Sequence, residues 1–341
     1  MSWYLNSGPE SDVVISSRIR LARNIKNIPF PSRINKEQAA EVIKEVKKAI
    51  FENDAFKNDF LFLNMDDITS IEKQAMVERH LISPELAAGN NECGVIVSRD
   101  EKISIMVNEE DHLRIQCLYP GMQIDAAWEL CDKIDSILSR NIDIAFDVNY
   151  GYLTCCPTNL GTGMRASLLL HLPALAMTGH IGKILSLCGK LGISVRGFYG
   201  EHSQAIGNMF QISNQVTLGN SESDIRINVK NIGKQIIDSE RSLRNEMYSQ
   251  NPYRFEDRIY RSLGILSSSR IMTTEESLKR LSDVRLGVDM GIIKDIDKKV
   301  LNEILIFIQP ANLQKLFGKP MSADERDIIR AEVIRNKLAK T

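Results

Sequence analysis

The hydrophobic period of this chain changes partway along, and that change limits the folds open to it. Up to about residue 220, many apolar runs are short and several alternate with period two, as half-buried strands do. Beyond residue 231 the spacing becomes helical, over 232–249, 255–266, 273–286, 298–308 and 322–340. A mixed part followed by a run of helices predicts an α+β fold, with strands largely antiparallel, and then an all-helical C-terminal domain. Asn251-Pro252 is placed to mark the break.

With 341 residues, 43% of them hydrophobic, each part can bury its own core. A net charge of -1 gives no support for nucleic-acid binding through bulk positive charge. No apolar run is long enough to span a bilayer, and the N-terminus lacks the basic and apolar regions of a signal peptide. The six cysteines form no CxxC pair and no metal-ligand spacing with the five dispersed histidines. Reduced thiols in a cytoplasm, with no structural zinc, are therefore expected.

Residues 13–21 read as a strand with Arg18 and Arg20 on one face and Ile19 and Leu21 on the other; Arg23 lies nearby. Such arginines can hold a polyphosphate by forked, charge-assisted hydrogen bonds, or can be solvated charges on an edge strand. Residues 35–51 read as a helix, with Asn35 and Gln38 as a capping box and Ala39, Val42, Ile43, Val46 and Ile50 as its apolar stripe. Runs 93–98, 102–108 and 112–118 form an antiparallel meander, and 125–139 is again amphipathic and helical.

Within the meander lies Asn108-Glu109-Glu110-Asp111-His112-Leu113-Arg114. Three adjacent carboxylates repel one another, and their burial adds desolvation. At a strand-to-strand junction they can converge on a cleft. One use is to orient a guanidinium and take its proton as a bond forms at nitrogen, with Glu110 as the base and Glu109 behind it. A Mg²⁺ site and a solvated turn remain open as alternatives.

Residues 151–165 read as a loop containing Cys156-Pro157-Thr158-Asn159-Leu160-Gly161-Thr162-Gly163, leading into an apolar helical stretch. Its glycines allow backbone amides to approach a ligand, and Arg165 is expected at a helix start, where anions are favoured. Cys156 is a candidate thiolate or a small buried residue, and Cys155 reads as core. Residues 193–196 form a short strand, 197–207 a glycine-bearing loop able to close over substrate, and 210–218 a further strand.

Ser17-Arg18-Ile19-Arg20, the run from Asn108 to Arg114, and the run from Cys156 to Arg165 together resemble the signature blocks of the phosphagen kinase superfamily. They occur in the family order over residues 13–243, which the resemblance implies is a phosphagen-kinase-like catalytic domain: an antiparallel sheet flanked by helices. The chain is most similar to the bacterial protein-arginine kinase branch. The first block begins by Val13, which leaves no room for the helical N-terminal domain of small-molecule members. Residues 254–341 correspond instead to a helical C-terminal domain.

The resemblance implies ATP, bound with Mg²⁺, as the phosphoryl donor, and no metal held by the protein alone. Arg18, Arg20, Arg114 and Arg165 would clamp its phosphates, with Ser16, Ser17 and Ile19 alongside and His80 beside the adenine. Ala166, Ser167, Leu168 and Leu169, and Arg196, Gly197, Phe198, Tyr199, Gly200 and Glu201, would complete the pocket. Glu110 would be the catalytic base, with Glu109, and Cys156 the active-site thiol. Arg326-Asp327-Ile328-Ile329-Arg330-Ala331 matches an RDxxRA motif that implies an allosteric phosphoarginine site at Arg326, Asp327, Arg330 and Ala331. Four residues apart near a helix start, Arg326 and Arg330 would share a face suited to an anion.

Two departures stand out. Gln204 occupies the position of a second substrate carboxylate in arginine kinases, and Leu169 that of a histidine near the adenine. The implied activity is phosphorylation of protein arginines, marking proteins for Clp-type degradation and relieving heat-shock repression. Implied partners are protein substrates with exposed arginines, a heat-shock repressor among them, a zinc-binding activator protein, a Clp unfoldase-protease and a second copy in a homodimer, with neither nucleic acid nor membrane. A small-molecule guanidino kinase and a non-catalytic phosphoarginine-binding regulator are the alternatives.

Overall fold

In the computed structural model, residues 2–53, 58–89, 92–197 and 206–339 are described. Among the described residues, eight strands form one antiparallel sheet: β1 (Val14–Arg23), β2 (Phe60–Asn64), β3 (Gly94–Ser98), β4 (Ile103–Val107), β5 (Leu113–Pro120), β8 (Met164–His171), β9 (Ile193–Gly197) and β10 (Met209–Asn214). Their order across the sheet is β2-β3-β4-β5-β1-β8-β10-β9, so β1 is central, paired with β5 and β8. The two-residue strands β6 (Phe146–Asp147) and β7 (Gly151–Tyr152) form a separate hairpin.

Period two gives this sheet two unlike faces. On one, Ile19, Leu21, Ile115, Cys117, Ala166, Leu168, Leu170 and Ile212 enter a single apolar cluster. Three helices cover it: α1 (Lys36–Phe51), α4 (Ile124–Asn141) and α7 (Glu222–Gln250). The α1 capping box forms as expected, Asn35 accepting from the Gln38 amide at 2.8 Å and Gln38 from the Asn35 amide at 3.2 Å. Gly233 lets α7 close onto β8: a Cβ there would stand 2.5 Å from Leu168 Cδ1. Shorter helices fill the connections: α2 (Ser70–Glu78), α3 (Pro84–Ala88), α5 (Pro173–Met177) and α6 (Ile181–Lys190).

One reading of the sequence is overturned here. The apolar stretch after the glycine loop is strand β8, not a helix. A short continuous apolar run fits either element by pattern. In this position both faces are buried, Leu168 and Leu170 in the core under the helices and Leu169 in a second cluster on the other side. Helix starts only at Pro173.

The C-terminal helices are α8 (Pro252–Ser268), α9 (Thr274–Asp289), α10 (Lys298–Phe307), α11 (Pro310–Phe317) and α12 (Ala323–Leu338). Only Asn251 separates α7 from α8, and its side chain caps the new helix at the Arg254 amide, 3.1 Å away. Their cluster, with Ile259, Leu281, Leu301 and Ile334, also takes in Ile15, Leu169 and Met209 from the sheet. Trp3, Tyr4 and Leu118 pack with Ile306 of α10. The helical region thus seals one end of the sheet's second, polar face. Among the described residues, no helix is long and apolar enough to cross a membrane.

Candidate active site

The polar face is built by strand register. Arg20 lies opposite Gln116 on β5 and Arg165 on β8; Arg18 lies opposite Ser167, which pairs in turn with Ser213. Residues directly opposite point the same way, so Arg18, Arg20, Arg114 and Arg165 converge on one surface. Directly facing like charges are unfavourable, yet several of the acceptors they meet are neutral. Arg18 donates to Gln211 Oε1 at 2.8 Å, to Ser167 Oγ at 3.4 Å and to Gln116 Oε1 at 3.5 Å. Arg165 donates to Ser213 Oγ at 3.2 Å and Ser194 Oγ at 3.4 Å. The buried Arg20 Nε has no hydrogen-bond partner among the described residues.

Burial, and then the charges of Arg114, Arg165 and Arg196, push Arg18 down to about 10. Arg20 is lowered well below the usual arginine value by burial and by Arg18, Arg114 and Arg165, against a smaller opposing pull from Glu109. Both directions report the same physics: cations gathered in a poorly solvated place without enough negative charge. A bound polyanion relieves that repulsion, and forked guanidinium donors suit phosphate oxygens.

The acidic turn between β4 and β5 divides its three carboxylates among three roles. Glu109 is nearly sealed from solvent and takes Arg114 Nη1 on both oxygens, at 2.9 and 2.7 Å, plus the Ser83 hydroxyl at 2.6 Å. Burial pushes its carboxyl up, but Arg114 and Ser83 hold it below the ordinary range. Asp111 is buried and accepts from Asn24 Nδ2 at 2.6 Å and the Cys155 amide at 2.7 Å, fastening the turn to two other segments. His112 is likewise a fixture: its Nδ1 accepts from the Ile25 amide at 3.0 Å.

Glu110 alone remains half-open, 38% exposed and 3.7 Å from Arg114. Burial, then Asp111 and Glu109, raises its carboxyl above the ordinary value, against the pull of Arg114 and a hydrogen bond from Cys156. A carboxylate so raised is a stronger base. Glu109 serves better as an orienting partner of Arg114 than as a second base.

Cys156 stands at the start of a short 3-10 turn, Pro157–Asn159, with its Sγ 3.0 Å from Thr158 Oγ1. It is partly exposed beside Glu110. Cys155, read from sequence as core, is only half-buried; its backbone, not its thiol, carries the contact to Asp111. Arg165 is not at a helix start. It is the second residue of β8, so its aim at the polar face comes from strand alternation, with no helix dipole involved.

His80 follows α2 in a left-handed backbone conformation, φ 61°. Burial, with Arg18 and Arg20 adding to it, pushes its imidazole down to about 3, so the ring is neutral near pH 7. It lines a small cavity with Ser16, Arg18, Ser167, Leu169 and Gln211. A second cavity brings His80 and Leu169 against Trp3, Tyr4, Asn302 and Leu305.

Other residues singled out from the sequence fall elsewhere. Ile19, Ala166 and Leu168 point into the core under the helices, so only their backbones border the polar face. Ser17 is buried on that same side, donating to the Gly121 carbonyl at 2.7 Å and capping the approach to α4 through the Gln123 amide. Arg23 turns away from Arg18 and Arg20 into an ion pair with Asp135 at 2.8 Å. Ser16 and Ser167 are on the polar face; Arg196 and Gly197 close β9 at the sheet edge. Phe198, Tyr199, Gly200, Glu201 and Gln204 lie outside the described residues. Gln116, Gln211, Ser194 and Ser213 belong to the face although no motif singles them out. Their signal is polar alternation within strands otherwise legible, Gln116 two residues after Arg114.

The RDxxRA motif opens α12, and its two arginines do not share one environment. Arg330 is buried and donates to the carbonyls of Ile308 and Met272 at 2.8 Å each, and to Asp327. Arg326 is half-exposed, with one long contact of 3.4 Å to the Met321 carbonyl. Ala331 is fully buried. Within the motif, Arg326 is thus a surface cation and Arg330 an internal staple.

The carboxylates do not form a cation cage. Glu109 and Asp111 are engaged by arginine, asparagine and amide donors, and no group of three metal-ligating side chains occurs among the described residues.

Residues 41–243 match the model of the ATP:guanido phosphotransferase C-terminal catalytic domain, and residues 252–341 that of the protein-arginine kinase McsB C-terminal domain. A protein-arginine kinase of Halothermothrix orenii is 48% identical over 98% of this chain and 96% of its own length. That of Bacillus subtilis is 46% identical over 99% and 93%. Lombricine kinase shares the fold at 23% identity, with a TM-score of 0.62 over 72% of each chain. The duplicated taurocyamine kinase of Schistosoma mansoni does so at 24% identity and TM-score 0.59, over 69% of this chain and 35% of its own. The chain belongs to the ATP:guanido phosphotransferase family, in the branch that carries the protein-arginine kinase C-terminal domain.

Proposed function

We propose that this protein transfers the γ-phosphoryl group of ATP to arginine side chains of proteins. One observation carries the reading: a half-open glutamate of raised basicity, Glu110, stands at the rim of a face where four arginines converge with too little counter-charge. The 46–48% identity to protein-arginine kinases over nearly the whole chain supports protein as the acceptor.

Arg18, Arg20, Arg114 and Arg165 take the phosphate oxygens of ATP, which brings its own Mg²⁺. Glu109 fixes the fork of Arg114. The neutral His80, with Leu169, borders the base. Ile19, Ala166, Leu168 and Gly197 border the pocket through backbone, and Ser16, Ser167 and Arg196 through side chains. The substrate guanidinium lies against Glu110. Its nitrogen attacks the γ-phosphorus in line, the bond to the β-bridging oxygen breaks, and the nitrogen's proton passes to Glu110. Phosphoarginine and ADP are left. An arginine is protonated at ordinary pH, so a placed base is indispensable to this chemistry. Cys156, hydrogen-bonded to Glu110, tunes that base.

In the same reading, residues 13–243 are the catalytic domain and 254–341 a regulatory helical domain with a phosphoarginine site at Arg326 and Asp327. The family resemblance supports the wider setting: a cytoplasmic homodimer, a zinc-binding activator, a heat-shock repressor as substrate, and delivery of marked proteins to a Clp-type protease.

The test offers γ-labelled ATP with either free arginine or an unfolded protein to the wild type and to Glu110→Ala. Label that is acid-labile and base-stable, on protein only and absent with the variant, is expected. Label on free arginine alone would make this a small-molecule kinase.

A further inference from the structure

Glu78, the last residue of α2, is buried and takes no part in the chemistry above. Its carboxylate accepts from the Ala311 amide at 2.8 Å, the Asn312 amide at 2.8 Å and the Asn312 side chain at 2.8 Å. The two amides are the first backbone donors of α11, which have no acceptor within their own helix. A carboxylate there also complements the helix dipole. α11 is thereby fastened to α2 across more than 230 residues of chain.

The segment immediately after Glu78 gives this fastening its meaning. Residues 79–83 cross the polar face and touch it at three points. The His80 carbonyl accepts from Gln116 Nε2 at 2.6 Å, and Gln116 Oε1 in turn faces Arg18. The Leu81 carbonyl accepts from Ser104 Oγ. Ser83 donates to Glu109, which holds Arg114. The segment therefore orients two of the four clamp arginines. From the other side, Arg330 of α12 grips the carbonyl of Ile308, two residues before α11.

The structure assigns to Glu78 the role of a positioning residue, through which the C-terminal helices set the geometry of Arg18 and Arg114 for nucleotide. The assignment rests on the proposal that these arginines hold ATP. It adds that α11 is a structural part of the nucleotide site, although none of its residues lies on the polar face. Two short chains of hydrogen bonds carry the constraint, and each ends on a guanidinium.

The test uses the full chain and compares wild type, Glu78→Gln and Asn312→Ala. Replacing one carboxylate oxygen by an amide turns an acceptor toward amide donors into a donor. Glu78→Gln is expected to raise KM for ATP roughly 2- to 30-fold, the range for coupling through packed networks, with KM for the protein substrate unchanged. Asn312→Ala removes one of the bonds and is expected to shift KM for ATP the same way by less, which serves if the glutamine variant fails to fold. Combining Glu78→Gln with Gln116→Ala should give less than the product of the single effects, because both lie on one chain. A fall in melting temperature with KM for ATP unmoved in both Glu78→Gln and Asn312→Ala would make Glu78 a structural pin only. Direct titration of the wild type with ATP separates the two proposals. Absence of binding there defeats the clamp itself, whereas equal binding by wild type and variants defeats only the role of Glu78.

Discussion

Arg20 and Arg23 stand three residues apart on β1 and point to opposite faces of the sheet. Arg23 is fully buried among partners that match it: both Asp135 oxygens at 2.8 to 3.1 Å, the carbonyls of Ala22 and Thr162, and the ring of Tyr152 beneath its guanidinium. Arg20 faces Arg165 and Gln116 and leaves its Nε without a partner among the described residues. One arginine is satisfied by the fold; the other keeps a donor without a partner among the described residues, which in the proposed function a nucleotide phosphate would meet. Arg330 and Arg326 repeat the contrast on α12, one stapling backbone carbonyls, the other half-exposed. Partner chemistry, rather than residue type or spacing, distinguishes a structural arginine from a binding one.

The contrast breaks most sharply by exchange of roles. Arg23→Ala should lower stability by about 3–5 kcal/mol, because it strands Asp135 as a buried, unpaired charge. Denaturant melts check this, and activity should follow the folded fraction. Arg20→Ala should leave stability equal to or above wild type, because it relieves repulsion from Arg18, Arg114 and Arg165. Its rate of arginine phosphorylation should fall about 10²- to 10³-fold, as when one preorganised charge-stabilising donor is removed. If Arg20→Ala unfolds the protein while keeping its rate per folded molecule, the division of the sheet into a core face and a phosphate face is wrong.

A smaller effect comes from pH. The Glu110 carboxyl is raised, by burial first, so its proton leaves at higher pH than an ordinary glutamate's. The base form is the unprotonated one. The acidic limb of kcat/KM should therefore lie above the ordinary carboxylate range, with activity lost as pH falls through it. Glu110→Gln should lower the rate about 10²-fold at neutral pH, at the low end for a placed base, and flatten that limb. A limb unchanged in the glutamine variant would assign the proton transfer to another group.

The two faces are partly legible in the sequence. Alternation in β1 places Arg18 and Arg20 together correctly, and the meander puts the acidic turn at a strand junction. Alternation is a local property and survives without tertiary knowledge. Pairing is not local. The match of Arg20 with Arg165 depends on β8 lying beside β1, and β8 reads as helix because a continuous apolar run carries no period. Asp135 as the partner of Arg23, and Ser83 as that of Glu109, are 112 and 26 residues away in sequence. No spacing rule reaches them. The unequal burial of the RDxxRA arginines has a related cause: helical spacing gives Arg326 and Arg330 a common side, as expected, but α10 and α12 pack so that the second is internal.

The smallest stability effect is expected at Arg326, and it sharpens the comparison most finely. The side chain is half-exposed, with a single long contact to the Met321 carbonyl, so Arg326→Ala should change stability by less than about 0.5 kcal/mol, as surface substitutions do. If the motif is a phosphoarginine site, Arg326 is its accessible cation, and the variant should lose any kinetic response to added phosphoarginine while its rate without effector stays the same. Arg330→Ala makes the useful contrast. It removes donors from the Ile308 and Met272 carbonyls and frees Asp327, so stability should drop together with any response. Loss of response at unchanged stability identifies Arg326 as a ligand contact. A preserved response in Arg326→Ala would remove the phosphoarginine site from this helix and leave the motif, through Arg330, as a device for holding α10, α11 and α12 together.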